Sequence, residues 1–410
     1  MKISDPLNQY VQIIDEAMTK MPHKVKKSLK RDIMEVLQLY MVLPNRVNFT
    51  QMAKFGQHVE QTYRNTFVKQ FDWLSFNSLL ATEYFAKDKR VAIAIDPSYI
   101  PKSGKHTSFL DYFWSGAAGQ AKWGLEILAI AMIGIDTHDC MTLYAQQTPD
   151  HISLERYNSN LIDWYSKIIR QKQEQLIALS KYIVADAFFS VHTFVEPMKE
   201  CGFHVISRLH DNAHLRYALT DEEQKQQEGK VGAPKKYGDK IDLNKLNMNV
   251  FKKVDLQIDN GELYAAVVYV KALKREVKLV VWKSPTGICK LYFSTDTQMS
   301  AKDVIEYYRT RFQIEFRIRD AKQYAGLTHS QARKWDKLHF AFFNASFTSV
   351  NIAKVMIQRN SNAFSMKDIK YLLYNTYLIR RIFARSGFCP NPKLSTKLVK
   401  ELLDLTDCAA

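Results

Sequence analysis

The strongest constraint on the fold is a double change of hydrophobic period along the 410 residues. Up to about residue 87, apolar side chains recur three and four apart in stretches such as KSLKRDIMEVLQLYMVL and FTQMAKFGQHVEQTYRNTFV. That is the spacing of helices burying one face. From residue 90 the pattern becomes short, β-branched apolar runs, and from residue 335 to 410 it is helical again. The chain is therefore of α/β class, with a mixed-sheet core between helical regions.

The runs predict individual elements. RVAIAID reads as a buried strand that stops at Asp96 and Pro97, and GLEILAIAMIGID, MTLYAQQT, KYIVAD and CGFHVISRL read as four more strands. SLERYNSNLIDWYSKIIRQKQEQLIAL reads as one helix among them. After Arg208 comes a polar, lysine-rich connection, EEQKQQEGKVGAPKKYGDKIDL. Three further strands, KKVDLQI, ELYAAVVYV and VKLVVW, follow it, the first two joined by an Asn260-Gly261 hairpin signal. A β-rich insertion thus interrupts the core. The expected division is 1–87, 88–208 and 209–288, then 289–345 and 346–410. The first region is a helical candidate for DNA binding, the second and fourth form the core, the third is the insertion, and the last is a helical candidate for dimerisation. Around Gly56, two helices have the length of a helix-turn-helix, as they would in any small helical bundle.

Lys and Arg number 58 against 42 Asp and Glu, giving a net charge of +16, the electrostatic footprint of a nucleic-acid binder. Hydrophobic residues at 46% exclude a disordered chain, and no apolar run is long enough to span a bilayer. The first residues carry no signal-peptide core, so the chain reads as soluble and intracellular. Cys140, Cys201, Cys289, Cys389 and Cys408 are scattered without a CxxC pair, which suggests neither a zinc cluster nor a disulfide framework.

Chemistry concentrates in three acids. A helix expected from Ser300, with Asp303 in its first turn, would gather Tyr308, Arg311, Glu315 and Lys322 within roughly 60° of one another at about 100° per residue. Asp96 and Asp186 each close an apolar strand, where open α/β sheets collect ligands. Glu315 packed beside them makes an acidic cluster whose repulsion calls for hard divalent cations. Two such ions about 4 Å apart can serve both sides of a phosphodiester. Lys102, Lys105 and His106, in PKSGKHT, follow Asp96 closely enough to line a DNA path. Arg208 is a further candidate phosphate contact. The GK in that segment is not a phosphate-binding loop, since Tyr99 and His106 stand where glycine and Ser or Thr are required.

The segment YYRTRFQIEFRIRDAK resembles the Tyr-x2-Arg-x3-Glu-x6-Lys signature of bacterial insertion-sequence DDE transposases of the IS-four family, at Tyr308, Arg311, Glu315 and Lys322. AIDPSYIPKSGKHT, ADAFFS and FSTDTQMSAKDVIEYYRTRFQIE around the acids are similar to that family too. The resemblance implies an RNase H-like core in which Asp96, Asp186 and Glu315 bind two magnesium ions, for which manganese can substitute. It implies hydrolytic nicking of double-stranded DNA at the element's ends and attack by the freed 3′-hydroxyl on target DNA, with a hairpin intermediate in some relatives. Tyr308, Arg311 and Lys322 would hold backbone phosphates. Trp282 would stack on an extruded base, unless it is simply a core tryptophan. A homodimer on paired ends, acting in the bacterial cytoplasm near the nucleoid, is the implied assembly.

Overall fold

A computed structural model describes residues 5–219, 235–258, 260–333, 342–361 and 364–386. Much of the lysine-rich connection, and the chain beyond residue 386, lie outside the described residues. The N-terminal region forms α1 (Pro6–Thr19), α2 (Lys27–Val42), α3 (Phe49–Phe55), α4 (Glu60–Thr66) and α5 (Trp73–Tyr84). Side-chain caps set their starts: Asp5 accepts the amides of Leu7 and Asn8, Asn48 that of Gln51, and Asp72 that of Ser75.

The sheet begins with β1 (Val91–Pro101), β2 (Asp111–Ser115), β3 (Gln120–Gly134) and β4 (Asp139–Gln147). Helices α6 (His151–Arg156), α7 (Leu161–Gln171) and α8 (Gln173–Ile177) lead to β5 (Tyr182–Val184), and α9 (His192–Glu200) leads to β6 (His204–Leu209). β1 lies antiparallel to β3 and parallel to β5, β5 is parallel to β6, and β4 flanks β3. This mixed five-strand arrangement with flanking helices is an RNase H-like core. β7 (Leu215–Tyr217), β8 (Lys252–Ile258), β9 (Gly261–Val270), β10 (Arg275–Lys283) and β11 (Cys289–Ser294) follow in the chain. β11 pairs with β6 and β10 with β11, so these strands prolong the core into one sheet, eleven-stranded among the described residues.

Four expectations are corrected. β1 does not stop at Asp96 and Pro97 but runs to Pro101, pairing with β3 throughout. β5 flanks it only at Ile93 and Ala94, so beyond them one edge is open and a residue without an N–H is tolerated there. The long helix is three helices, broken where Asn158 takes a left-handed φ of 47° and Asn160 and Asp163 form a capping box. The helix after Ser300 is two, α10 (Ala301–Thr310) and α11 (Gln313–Tyr324). β2, with the sequence DYFWS, is a strand that the sequence reading left unassigned.

Beyond lie α12 (Asn344–Arg359) and α13 (Met366–Ser386), which pack on α1 and α2. α12 also closes the outer edge of β4. The Asn344 carboxamide accepts from Ala145 N at 2.9 Å and donates to Ala145 O at 2.9 Å. Asn351 does the same at Thr142, at 3.2 and 2.6 Å, and Asn77 of α5 donates to Leu143 O at 3.1 Å. Three buried carboxamides thus take the place of a neighbouring strand.

Candidate active site

Strand register brings the first two acids together. Ala94 pairs with Val184 across parallel β1 and β5, and Asp96 and Asp186 each lie two residues further on. Adjacent strands are about 4.8 Å apart, and residues two along share a face. Asp186 also starts the short turn Ala187–Phe189, its Oδ1 accepting from Ala187 N at 2.6 Å.

The junction of α10 and α11 brings the third. Arg311 and Phe312 keep right-handed dihedrals, but the bonds Ile314 N to Arg311 O and Glu315 N to Phe312 O, both 3.1 Å, span only three residues. This tighter turn interrupts the α-helix without reversing it. Arg311 therefore reaches β1 while Glu315 stays one turn on. Its Nη1 lies 3.4 Å from Asp96 Oδ1 and its Nη2 3.4 Å from Glu315 Oε1, one guanidinium between two carboxylates.

The acids feel one another. Burial pushes the Asp96 carboxyl up to about 7; Arg311 opposes this, while the charges of Glu315, Asp186 and Glu126 add to it. Burial also raises Glu315, against the pull of Arg311 and with the push of Asp186. Lys322 is lowered by burial and sustained by Asp96, and its ammonium donates to Ser98 Oγ at 3.1 Å and Tyr99 O at 2.9 Å. The Tyr308 ring packs on Tyr292 with centroids 5.1 Å apart, and the Arg311 guanidinium lies 5.8 Å from its centre. All six principal candidates thus converge.

The secondary candidates divide. Arg208 lies across from Tyr292 in the β6–β11 ladder, beside Tyr308, and pairs with Asp211 at 2.7 Å. Lys102 is turned inward, its ammonium donating to Ser330 O, whereas Lys105 and His106 are exposed. Trp282 is half-buried, with its indole N–H on Ile258 O at 2.8 Å and the Lys290 ammonium 4.9 Å from a ring centre. It lies two residues from Val280, the partner of Tyr292, and so shares the sheet face of Tyr292 and Arg208. Sequence reading missed Tyr292, and missed Glu126, a buried acid that accepts from the Tyr165 hydroxyl. The signal for Glu126 was an acid within the apolar run GLEILAIA.

Among the described residues, no three acidic, histidine or cysteine side chains enclose a metal position as they stand. Arg311 occupies the space between Asp96 and Glu315. The donor set is nonetheless all carboxylate oxygen, which suits a hard divalent ion.

A family model described as Transposase DDE domain matches residues 90–352, which hold every strand among the described residues and all three acids. The chain belongs to this family. Transposase DDE domains act on DNA and generally use divalent metal ions. A comparison with curated proteins finds no match. No helix among the described residues is long and apolar enough to cross a membrane.

Proposed function

We propose that this DDE transposase cuts double-stranded DNA at the ends of its own insertion sequence and joins the freed 3′-hydroxyls to target DNA. The observation that carries the reading is the register of β1 and β5, which sets Asp96 beside Asp186, with Glu315 reached through one arginine. Asp96, Asp186 and Glu315 would hold two magnesium or manganese ions. When bound, such ions activate a water or 3′-hydroxyl and neutralise charge on the phosphodiester.

The chain's own residues bind and orient the strand. Arg311 presents a rigid fork to a phosphate, Lys322 a compact charge fixed by Ser98 and Tyr99, and Tyr308 a ring held by Tyr292. Arg208, Lys105 and His106 extend this surface, Lys102 braces it through Ser330, and Trp282 stacks on an extruded base. The Tyr-Arg-Glu-Lys spacing supports the IS-four family as its group, some of whose members release the element through a hairpin. Residues 1–87 recognise the end sequence, 88–208 and 289–345 cut it, 209–288 contact the flank, and 346–410 pair two copies on two ends. The enzyme works in the cytoplasm, on nucleoid DNA.

The decisive test is incubation with DNA carrying the element's terminal repeats and magnesium. Joined products support strand transfer, cleavage without joining reduces the reading to a nuclease, and binding without cleavage reduces it to an inactive relative. Arg311→Ala should cut roughly a hundredfold more slowly at saturating metal, the usual scale for one lost charge-stabilising donor. Arg311→Lys should recover little, because a point charge does not replace the fork; unchanged single-turnover rates would leave Arg311 as a plain ion-pair partner. Binding measured between about 50 and 200 mM salt should weaken by roughly a thousandfold or more if at least six phosphates are contacted. A flat salt response would remove the extended DNA surface.

A further inference from the structure

The β2–β3 hairpin carries aromatic rings that the core does not use. Tyr112 is 68%, Trp114 64% and Trp123 40% exposed, while Phe113 between the first two is buried. Tyr112 and Trp123 are cross-strand partners with centroids 5.4 Å apart, and Trp114 lies two residues along on the same face. Contiguous exposed apolar surface of this kind marks an interaction site rather than scatter.

Two hydrogen bonds tie the hairpin to the segment that follows Asp96. The Trp123 indole donates to Gly104 O at 3.2 Å, between Lys102 and Lys105. The Tyr99 hydroxyl donates to Trp123 O at 2.8 Å, and Tyr99 O receives the Lys322 ammonium. Asp96 pairs with Ala129 and Pro101 with Gly124, five residues on. Trp123, the first ring, is one residue beyond Gly124, so at about 3.3 Å per residue the rings begin roughly 20 Å along the sheet from Asp96.

We infer that Tyr112, Trp114 and Trp123 form a platform on which unpaired DNA bases stack roughly 20 Å from the acids; this rests on the DNA reading above. Flat rings match the faces of bases, which a duplex hides between neighbours and a single strand presents. The surroundings supply the charge for its backbone, since Lys105, His106 and Lys122 are exposed around the hairpin. A second copy of the chain is the competing occupant, because β2 ends the strand order.

The test compares the Tyr112→Ala/Trp114→Ala double variant with wild type on two probes, oligo(dT) of about 20 nucleotides and a mixed-sequence duplex of about 20 base pairs. Both rings are on the solvent face, so the buried Phe113 is left in place. Oligo(dT) affinity should fall about tenfold or more and duplex affinity less than about twofold, given what one stacked base contributes. Tyr157→Ala, removing an exposed ring outside the hairpin, should change neither. Unchanged oligo(dT) binding, an equal loss on both probes, or loss of self-association by sedimentation in the double variant overturns the inference. Wild-type protein that binds neither probe overturns the DNA reading and this inference together, whereas intact duplex binding with unchanged oligo(dT) binding overturns this one alone.

Discussion

Asp96→Asn is expected to abolish cleavage and to stabilise the metal-free protein at pH 8. The loss follows from the proposed role. Removing one carboxylate from a site that neutralises phosphoryl charge forfeits several kcal/mol, or roughly a thousandfold in rate. The gain follows from burial. An unfolded aspartate titrates near 3.9, whereas Asp96 in the fold is pushed up to about 7. The native state thus binds a proton more tightly than the unfolded chain, so wild-type stability falls as pH rises from about 4 to about 7. Three units correspond to at most about 4 kcal/mol. Asparagine is neutral throughout and escapes the loss. Urea midpoints in chelator should therefore favour the variant at pH 8 and converge with wild type below about pH 4. Magnesium should stabilise wild type and not the variant. A variant that cuts at the wild-type rate would remove Asp96 from the site; equal midpoints at pH 8 would mean that Arg311 fully offsets burial of the carboxylate.

That opposition explains which parts of the site were legible in sequence. Asp96 and Asp186 stood out because each ends an apolar run, and a parallel ladder converts equal positions past Ala94 and Val184 into neighbours. Spacing also placed Tyr308, Arg311, Glu315 and Lys322 on one side, and the interrupted helix keeps them there because the tight turn at Arg311 and Phe312 remains right-handed. What periodicity could not carry was tertiary. It put an end to β1 at Pro97, since proline's cost depends on whether an edge is paired, and only the short β5 leaves that edge open. It passed over Tyr292, whose meaning comes from lying across from Arg208 and under Tyr308. It read Lys102 as a loop lysine like Lys105, although a carbonyl of Ser330, more than two hundred residues away, draws it in.

The same limit conceals the contact that closes the edge of β4, and Asn351→Leu should show its weight. NASFTSVNIAKVMIQR reads as a helix, but its Asn344, Ser346, Thr348, Ser349 and Asn351 are all buried, where an amphipathic pattern would put them in water. They face the edge of β4 and the elements packed there. Leucine at 351 removes the acceptor of Thr142 N, a donor to Thr142 O and a donor to Asn77 Oδ1, the last at 2.9 Å. Each orphaned buried group costs about 1–3 kcal/mol, so the loss of three is roughly 3–9 kcal/mol, a large share of the 5–15 kcal/mol that holds a typical domain. The urea midpoint should drop accordingly, with serine at 351 no better because its hydroxyl does not span both backbone groups. The effect should reach the acids through α11, which packs on α12 and whose Ala321 O accepts from Ser346 Oγ at 3.4 Å. Hydrogen exchange should therefore rise both at Thr142 to Ala145 and along Gln313 to Tyr324. A rise confined to β4 would separate the edge from the site, and an unchanged midpoint would mean that water replaces the carboxamide at no cost.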